Sequence, residues 1–400
     1  MKHSVSSTVP SHVLPLIVLS QFAGTSVWFA GNAILPALQI QYQLPDSMLG
    51  NITTAVQSGF IIGTLIFALL SIADRFSPVQ LFMCCALLAA VFNVMVIWAG
   101  NDTVSLLTCR LLTGFFLAGV YPVGMKIAAD WYAKGLGKAL GFLVGALVAG
   151  KALPHLIKST IQVDNWQQVM ILTSIIAASG GLLIGLFLKN GPHRAKSAGL
   201  QKVNLVSLFK DKSFKASSFG YFGHMCELYS FWAFVPLMIT WYNHFHASSI
   251  PVSFWSFVII GVGCISCMIG GSISNRIGSA KVAWVSLIVS GICCLLSPLF
   301  FLASPGIFLI CLMLWGCFVI ADSPQFSALV SQTAPPVTKG TALTLVTSIG
   351  FAITIVSIET LNLIWNRFMS DDVAKYWLLP VLAIGPVFGL FHMKSLVQKN

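Results

Sequence analysis

Four ionisable side chains lie deep inside apolar stretches, and their types point to the handling of anions and protons. Arg110 belongs to Cys-Arg-Leu-Leu-Thr-Gly (109–114), Lys151 to the apolar run ending near Pro154, and His224 and Glu227 to Gly-His-Met-Cys-Glu (223–227). An ionisable group within a membrane span is costly and usually faces the interior of a bundle, so each is first a candidate for a transport pathway. Lys151 is ~20 Å along its span, too deep for its ammonium to reach either interface, which makes it the leading candidate to receive an anionic group. Arg110 is ~12 Å inside its span and shares a face with Gly114 and Tyr121, so it can line the same cavity. The alternative is a guanidinium satisfied by carbonyls of the first or second span. Lys126 falls about 160° around the same helix, near its end, where it can snorkel; its reading is structural or gating.

His224 and Glu227 are three residues apart and share a helix face, ~12 to 16 Å from the end of their span. Burial favours the neutral form of both, which makes proton exchange near pH 7 feasible. The competing readings are a Glu227 paired with Lys151 or Arg110 for stability alone, and a metal site. A single helix supplies too few ligands for a metal, and neither a metal nor another cofactor is expected. Gln21, Thr25, Trp28 and Asn32 recur at four-, three- and four-residue steps, a polar stripe that must look inward, to line a cavity or to bond another helix. Asp322-Ser323-Pro324 places a carboxylate beside a kinking proline, a combination suited to gating, with a neighbouring cation as its partner. Glu359 is expected near an outer interface, and His155, close to Lys158, is read as interfacial.

The elements that position these residues must be membrane helices. Hydrophobic residues make up 57% of the 400-residue chain and charged residues 8%, with a mean hydropathy of +0.88. A soluble domain carries roughly 25% charged residues. The chain is therefore read as an all-α polytopic membrane protein embedded in the lipid bilayer. The net charge of +11 lies largely in loops beside spans, so it is assigned to topology and not to nucleic acid. The ten cysteines lack zinc or disulfide spacing and read as small buried hydrophobes. The apolar run from Val13 to Leu38 is too long for a signal peptide and is taken as the first span.

Twelve spans follow, near 13–38, 48–72, 79–100, 103–128, 136–158, 167–188, 217–241, 253–275, 281–303, 305–330, 340–364 and 375–393. One long connection, 189–216, separates six-helix halves at 1–188 and 217–400; it carries seven basic residues against Asp211 alone, and Leu205–Phe214 reads as a short interfacial helix. Lys2, Arg75, Lys134, Lys138, Arg276, Lys281, Lys339, Lys394 and Lys399 lie on the same side as that loop, against Lys158, Arg367 and Lys375 on the other. The positive-inside rule then puts both termini in the cytoplasm, in a multi-pass protein of the cell (inner) membrane.

The halves repeat. Ser71–Arg75 matches Ser272–Arg276 at an offset of 201, Cys109, Gly114 and Pro122 match Cys311, Gly316 and Pro324 at 202, and Gly137–Leu140 matches Gly340–Leu343 at 203. Such pseudo-symmetric halves place a solute site between them near the midplane. Gly137, Gly141, Gly145 and Ala149 form a small-residue ridge suited to close helix packing, with Gly340, Thr344, Ser348 and Ala352 as its counterpart.

Twelve spans, a basic central loop and duplicated loops after spans two and eight resemble the major facilitator superfamily over essentially the whole chain. Asp74-Arg75 resemble that family's first loop motif, and Gly270, Gly271, Asn275, Arg276, Gly278 and Lys281 its second copy. Arg110 with Gly114 resembles its Arg-x-x-x-Gly motif, whose arginine is often linked to proton coupling. Asp130-Trp131-Tyr132 followed by Lys134-Gly135 is similar to an aromatic-basic-Gly pattern of organic-anion and nitrate members. The Gly-Pro motif of many drug/proton antiporters is absent from span five, where Gly145-Ala146 stand, and this argues against multidrug export.

The resemblance implies a monomeric secondary transporter working by alternating access. Substrate-binding candidates are Arg110, Lys151, Trp28, Asn32 and Tyr121; proton-coupling candidates are Glu227 and His224; gating candidates are Asp74, Arg75, Asn275, Arg276 and Asp322. The solute is expected to be small and anionic, with proton symport; export of a drug, siderophore or metabolite is the alternative. An intramembrane enzyme or sensor is disfavoured because no nucleotide loop or nucleophile–base pair occurs.

Overall fold

The computed structural model describes residues 9–45, 47–99, 102–132, 136–160, 165–194, 208–335, 339–368 and 377–397, and every regular element among them is helical. Eleven elements are long and apolar enough to cross a membrane. They are span 1 (Val13–Tyr42), span 2 (Met48–Leu69), span 3 (Pro78–Ala99), span 4 (Thr103–Trp131), span 5 (Leu136–Thr160), span 6 (Trp166–Phe187), span 8 (Val252–Ile277), span 9 (Ser279–Leu302), span 10 (Pro305–Thr333), span 11 (Ala342–Arg367) and span 12 (Leu379–Val397). The 35-residue helix Lys212–His246 supplies span 7 and completes the twelve-helix architecture. It is less apolar than the others because its interior carries His224, Glu227, Tyr229 and Ser230, all buried among other helices.

Span 7 starts earlier than the sequence suggests. Asp211 caps it by accepting from the Phe214 backbone N–H at 2.8 Å. Lys212–Phe214 thus belong to span 7 and not to a separate interfacial helix, while 205–207 lie outside the described residues.

Three spans are broken, each for a local reason. In span 1, the Thr25 hydroxyl donates to the Gln21 carbonyl at 2.8 Å and that of Ser26 to Ala23 at 2.7 Å. Such back-bonding competes with the helix ladder, and the helix stops at Thr25 and resumes at Ala30. Span 4 breaks between Leu117 and Tyr121, ahead of Pro122. Span 10 breaks at Asp322, ahead of Pro324. Pro324 has no N–H for the Ile320 carbonyl, which instead accepts from the Cys267 thiol of span 8 at 3.5 Å.

The internal repeat reappears as matched backbone contacts. A Cβ on Gly114 would collide with the Val56 carbonyl of span 2, and one on Gly316 with the Ile259 carbonyl of span 8. These glycines let span 4 lie directly on span 2 and span 10 on span 8. Between the first six and last six spans, the seam is formed chiefly by span 5 against span 8 and span 2 against span 11. On span 5 the small-residue ridge serves this packing: a Cβ on Gly145 would stand 3.2 Å from the Cys264 carbonyl.

Candidate solute site and its polar supports

Lys151 reaches into that seam and is fully buried. Its ammonium lies 3.8 Å from the ring centroid of Trp28, 4.3 Å from that of Tyr229 and 5.1 Å from that of Trp232, and it donates to the Tyr229 hydroxyl. Trp28 comes from the break in span 1, the other two from span 7, so both halves contribute to the cage. Ring faces attract a desolvated cation by about 2 kcal/mol or more each in favourable geometry. Among the described residues no carboxylate forms an ion pair with Lys151. Three further rings complete the block: Phe60 and Phe351 pack on Trp28 at centroid distances of 4.8 and 5.8 Å, and Phe29 lies 6.4 Å from Tyr229. Sequence reasoning missed Tyr229 and Trp232, although they follow Glu227 by two and five residues in the same polar helix. It also missed Phe60 and Phe351, which no local pattern distinguishes from ordinary core.

Arg110 takes the alternative environment anticipated for it. The guanidinium is fully buried and donates to the carbonyls of Val27 at 3.0 Å and Trp28 at 2.7 Å, and to Asn93 Oδ1 at 2.7 Å. Those two carbonyls are the ones released by the break in span 1. Arg110 therefore holds the segment that carries Trp28, and its terminal nitrogens are occupied. Asn32 donates to Thr53 Oγ1 at 2.7 Å and borders a cavity of about 110 Å³ with Gln39, Asn362 and Trp365. Tyr121 is buried at the start of the second piece of span 4.

The competing reading, a Glu227 paired with Lys151 or Arg110, is not what the structure shows. Glu227 turns into its own half, where Oε1 accepts from Trp315 Nε1 at 2.6 Å and the Cys294 thiol at 3.2 Å, and Oε2 from the Ser290 hydroxyl at 2.9 Å. No cation is among these partners. His224, three residues away, has a different neighbour: its Nδ1 lies 2.8 Å from Asp322 Oδ1, without the alignment of a good hydrogen bond. His224 thus stands beside Asp322, and is the cation anticipated for it only when its ring is protonated. His155 is buried by neighbouring side chains near the end of span 5.

These polar groups obey the repeat. In the first half Arg110 of span 4 joins Asn93 of span 3 to the Val27 carbonyl of span 1. In the second, Trp315 of span 10 and Cys294 of span 9 converge on Glu227 of span 7. Asn93 and Cys294 are 201 positions apart, and Val27 and Glu227 are 200 apart. Each half ties its first, third and fourth helices, once through a cation and once through a carboxyl group, with Arg110 and Trp315 three residues out of the register of the repeat.

The Major Facilitator Superfamily model matches residues 17–358, most of the chain. The chain belongs to the major facilitator superfamily. As a member of that family it is a transporter and not an enzyme. A bacterial homologue of the human lysosomal transporter Spinster, in an inward-facing unoccupied conformation, superposes with a TM-score of 0.70 at 16% identity, covering 98% of this chain and 95% of that one. The nucleoside transporter NupG, as a point mutant, gives 0.73 at 14% identity, with 96% and 99% covered. The human organic anion transporter MFSD10 gives 0.71 at 15% identity, with 96% and 100% covered. No curated protein matches the chain.

In this facilitator the end opposite the basic loops is latched across the halves. Thr54 of span 2 donates to Glu359 Oε1 of span 11 at 2.6 Å, and the Asn362 amide to the Ser47 carbonyl at 3.2 Å. Deeper in the seam, Thr354 donates to Gln57 Oε1. Glu359, near the end of span 11, is a cross-half acceptor. At the basic end, Asp74 pairs with Lys126 of its own half at 2.9 Å, and Arg194 donates to the carbonyls of Asp74 and Phe76. Arg75, Asn275 and Arg276 are not engaged across the seam, so in this conformation none of the four loop residues joins the two halves by a described bond.

Proposed function

We propose that this facilitator moves a small organic anion through the seam between its halves, in symport with protons, and that Lys151 receives the anion. The observation that carries this reading is a fully buried ammonium between the halves with ring faces and a phenol around it and no carboxylate paired to it among the described residues. Uncompensated donors accumulate nearby as well: the indole N–H groups of Trp28 and Trp232 and the Gln57 amide nitrogen have no acceptor. A buried region rich in donors and poor in acceptors is stabilised by an arriving anion. Glu227, buried with neutral donors alone, is the proton carrier in this scheme, with His224 beside Asp322 as the second candidate.

The halves 1–188 and 217–400 rock about the site, joined by 189–216, with the basic end in the cytoplasm of a monomer in the inner membrane. The four loop residues from Asp74 to Arg276 close that end in the opposite state. Uptake into proteoliposomes, screened over small carboxylates, inorganic anions, amines and neutral solutes with and without an inward acid gradient, tests the reading. The account expects accumulation of a carboxylate that grows with the gradient; selective accumulation of an amine would contradict it.

A further inference from the structure

The rings that enclose Lys151 carry more information than its charge. Five ring pairs cross the seam among the described residues: Trp28 with Tyr229 and Phe351, Phe29 with Tyr229 and Trp232, and Phe60 with Phe351, at centroid distances of 6.1, 5.8, 6.4, 6.2 and 4.6 Å. A solute that reaches the ammonium along the seam parts these pairs, and what replaces them is the body of the solute itself. An aliphatic body restores apolar contact but not the offset and edge-to-face geometry that rings prefer with one another. A flat ring restores both. From this block, with the indole N–H groups of Trp28 and Trp232 unpartnered at its margin, we infer that the solute is an aromatic carboxylate, its carboxyl group on Lys151 and its ring between Trp28 and Phe351 of opposite halves.

This rests on Lys151 being the anion receptor, and the experiment separates the two ideas. Counterflow of labelled benzoate is measured in proteoliposomes, with benzoate, cyclohexanecarboxylate and acetate as competitors. The native protein is compared with Phe351→Leu, which keeps bulk without a ring, and with Lys151→Gln. The expected result is competition by benzoate about tenfold better than by cyclohexanecarboxylate, a preference that shrinks several-fold in Phe351→Leu, because a ring pair is worth up to about that factor. All three acids should lose potency in Lys151→Gln. Equal potency of the flat and puckered rings, with both still dependent on Lys151, would overturn the aromatic assignment and leave the anion receptor standing. Absence of benzoate counterflow in vesicles that exchange a non-aromatic carboxylate would overturn the aromatic assignment alone, and counterflow indifferent to Lys151→Gln would overturn both.

Discussion

Lys151 and Glu227 are both buried single charges, yet their surroundings divide the labour between them. The lysine faces the other half and is met by rings; the glutamate faces its own half and is met by Trp315, Cys294 and Ser290. A carboxyl group held by three neutral donors can be emptied or filled with a proton without breaking a salt bridge, whereas one paired to Lys151 could not. Glu227→Gln should therefore retain solute exchange but lose accumulation driven by a pH gradient, measured as exchange and net uptake in the same vesicles. Gradient-driven uptake that survives Glu227→Gln would transfer the role to His224. The burial and sign of both residues were legible in the sequence. Their separation was not, because three-residue spacing leaves two side chains on one helix face but does not say which neighbouring helix each will meet.

At the scale of elements, Arg110 acts on a helix break. Removing it leaves two buried carbonyls and Asn93 Oδ1 without a donor, at about 1–3 kcal/mol for each unsatisfied group. Arg110→Ala should lower the melting temperature in detergent and weaken solute binding together, because the loosened segment carries Trp28. Binding lost with the melting temperature unchanged would instead make Arg110 a direct solute ligand. The paired glycines give an independent test of the repeat. Gly114→Ala and Gly316→Ala each force a methyl group into a facing carbonyl and should destabilise by about 1–3 kcal/mol, read as comparable losses in melting temperature. Sequence offsets revealed that these glycines correspond, since the spacing of the repeat is nearly constant. The break in span 1 stayed hidden, because its cause, Thr25 and Ser26 bonding back to the chain, begins at a residue that also fits an unbroken polar stripe.

For the whole molecule, the latch of Thr54 and Ser47 on Glu359 and Asn362 closes the end opposite the basic loops. Glu359→Gln weakens one charge-assisted bond, so spin labels at Asn51 and Leu363 should report a larger population of long distances, while an unchanged distribution would show the latch to be incidental. The twelve-helix layout was readable from hydropathy and loop charge because the bilayer imposes span length and polarity directly. The aromatic seam was not, since it joins residues from positions 28 to 351 that share no local pattern. In the proposed cycle Lys151 is where the halves meet the solute. The most direct test of this role is the concentration dependence of carboxylate exchange in the native protein, Lys151→Gln and Lys151→Arg, reconstituted side by side. The account predicts a KM raised about tenfold or more in Lys151→Gln, by loss of a charge-assisted bond, and partly recovered in Lys151→Arg. A KM for Lys151→Gln equal to that of the native protein would contradict it.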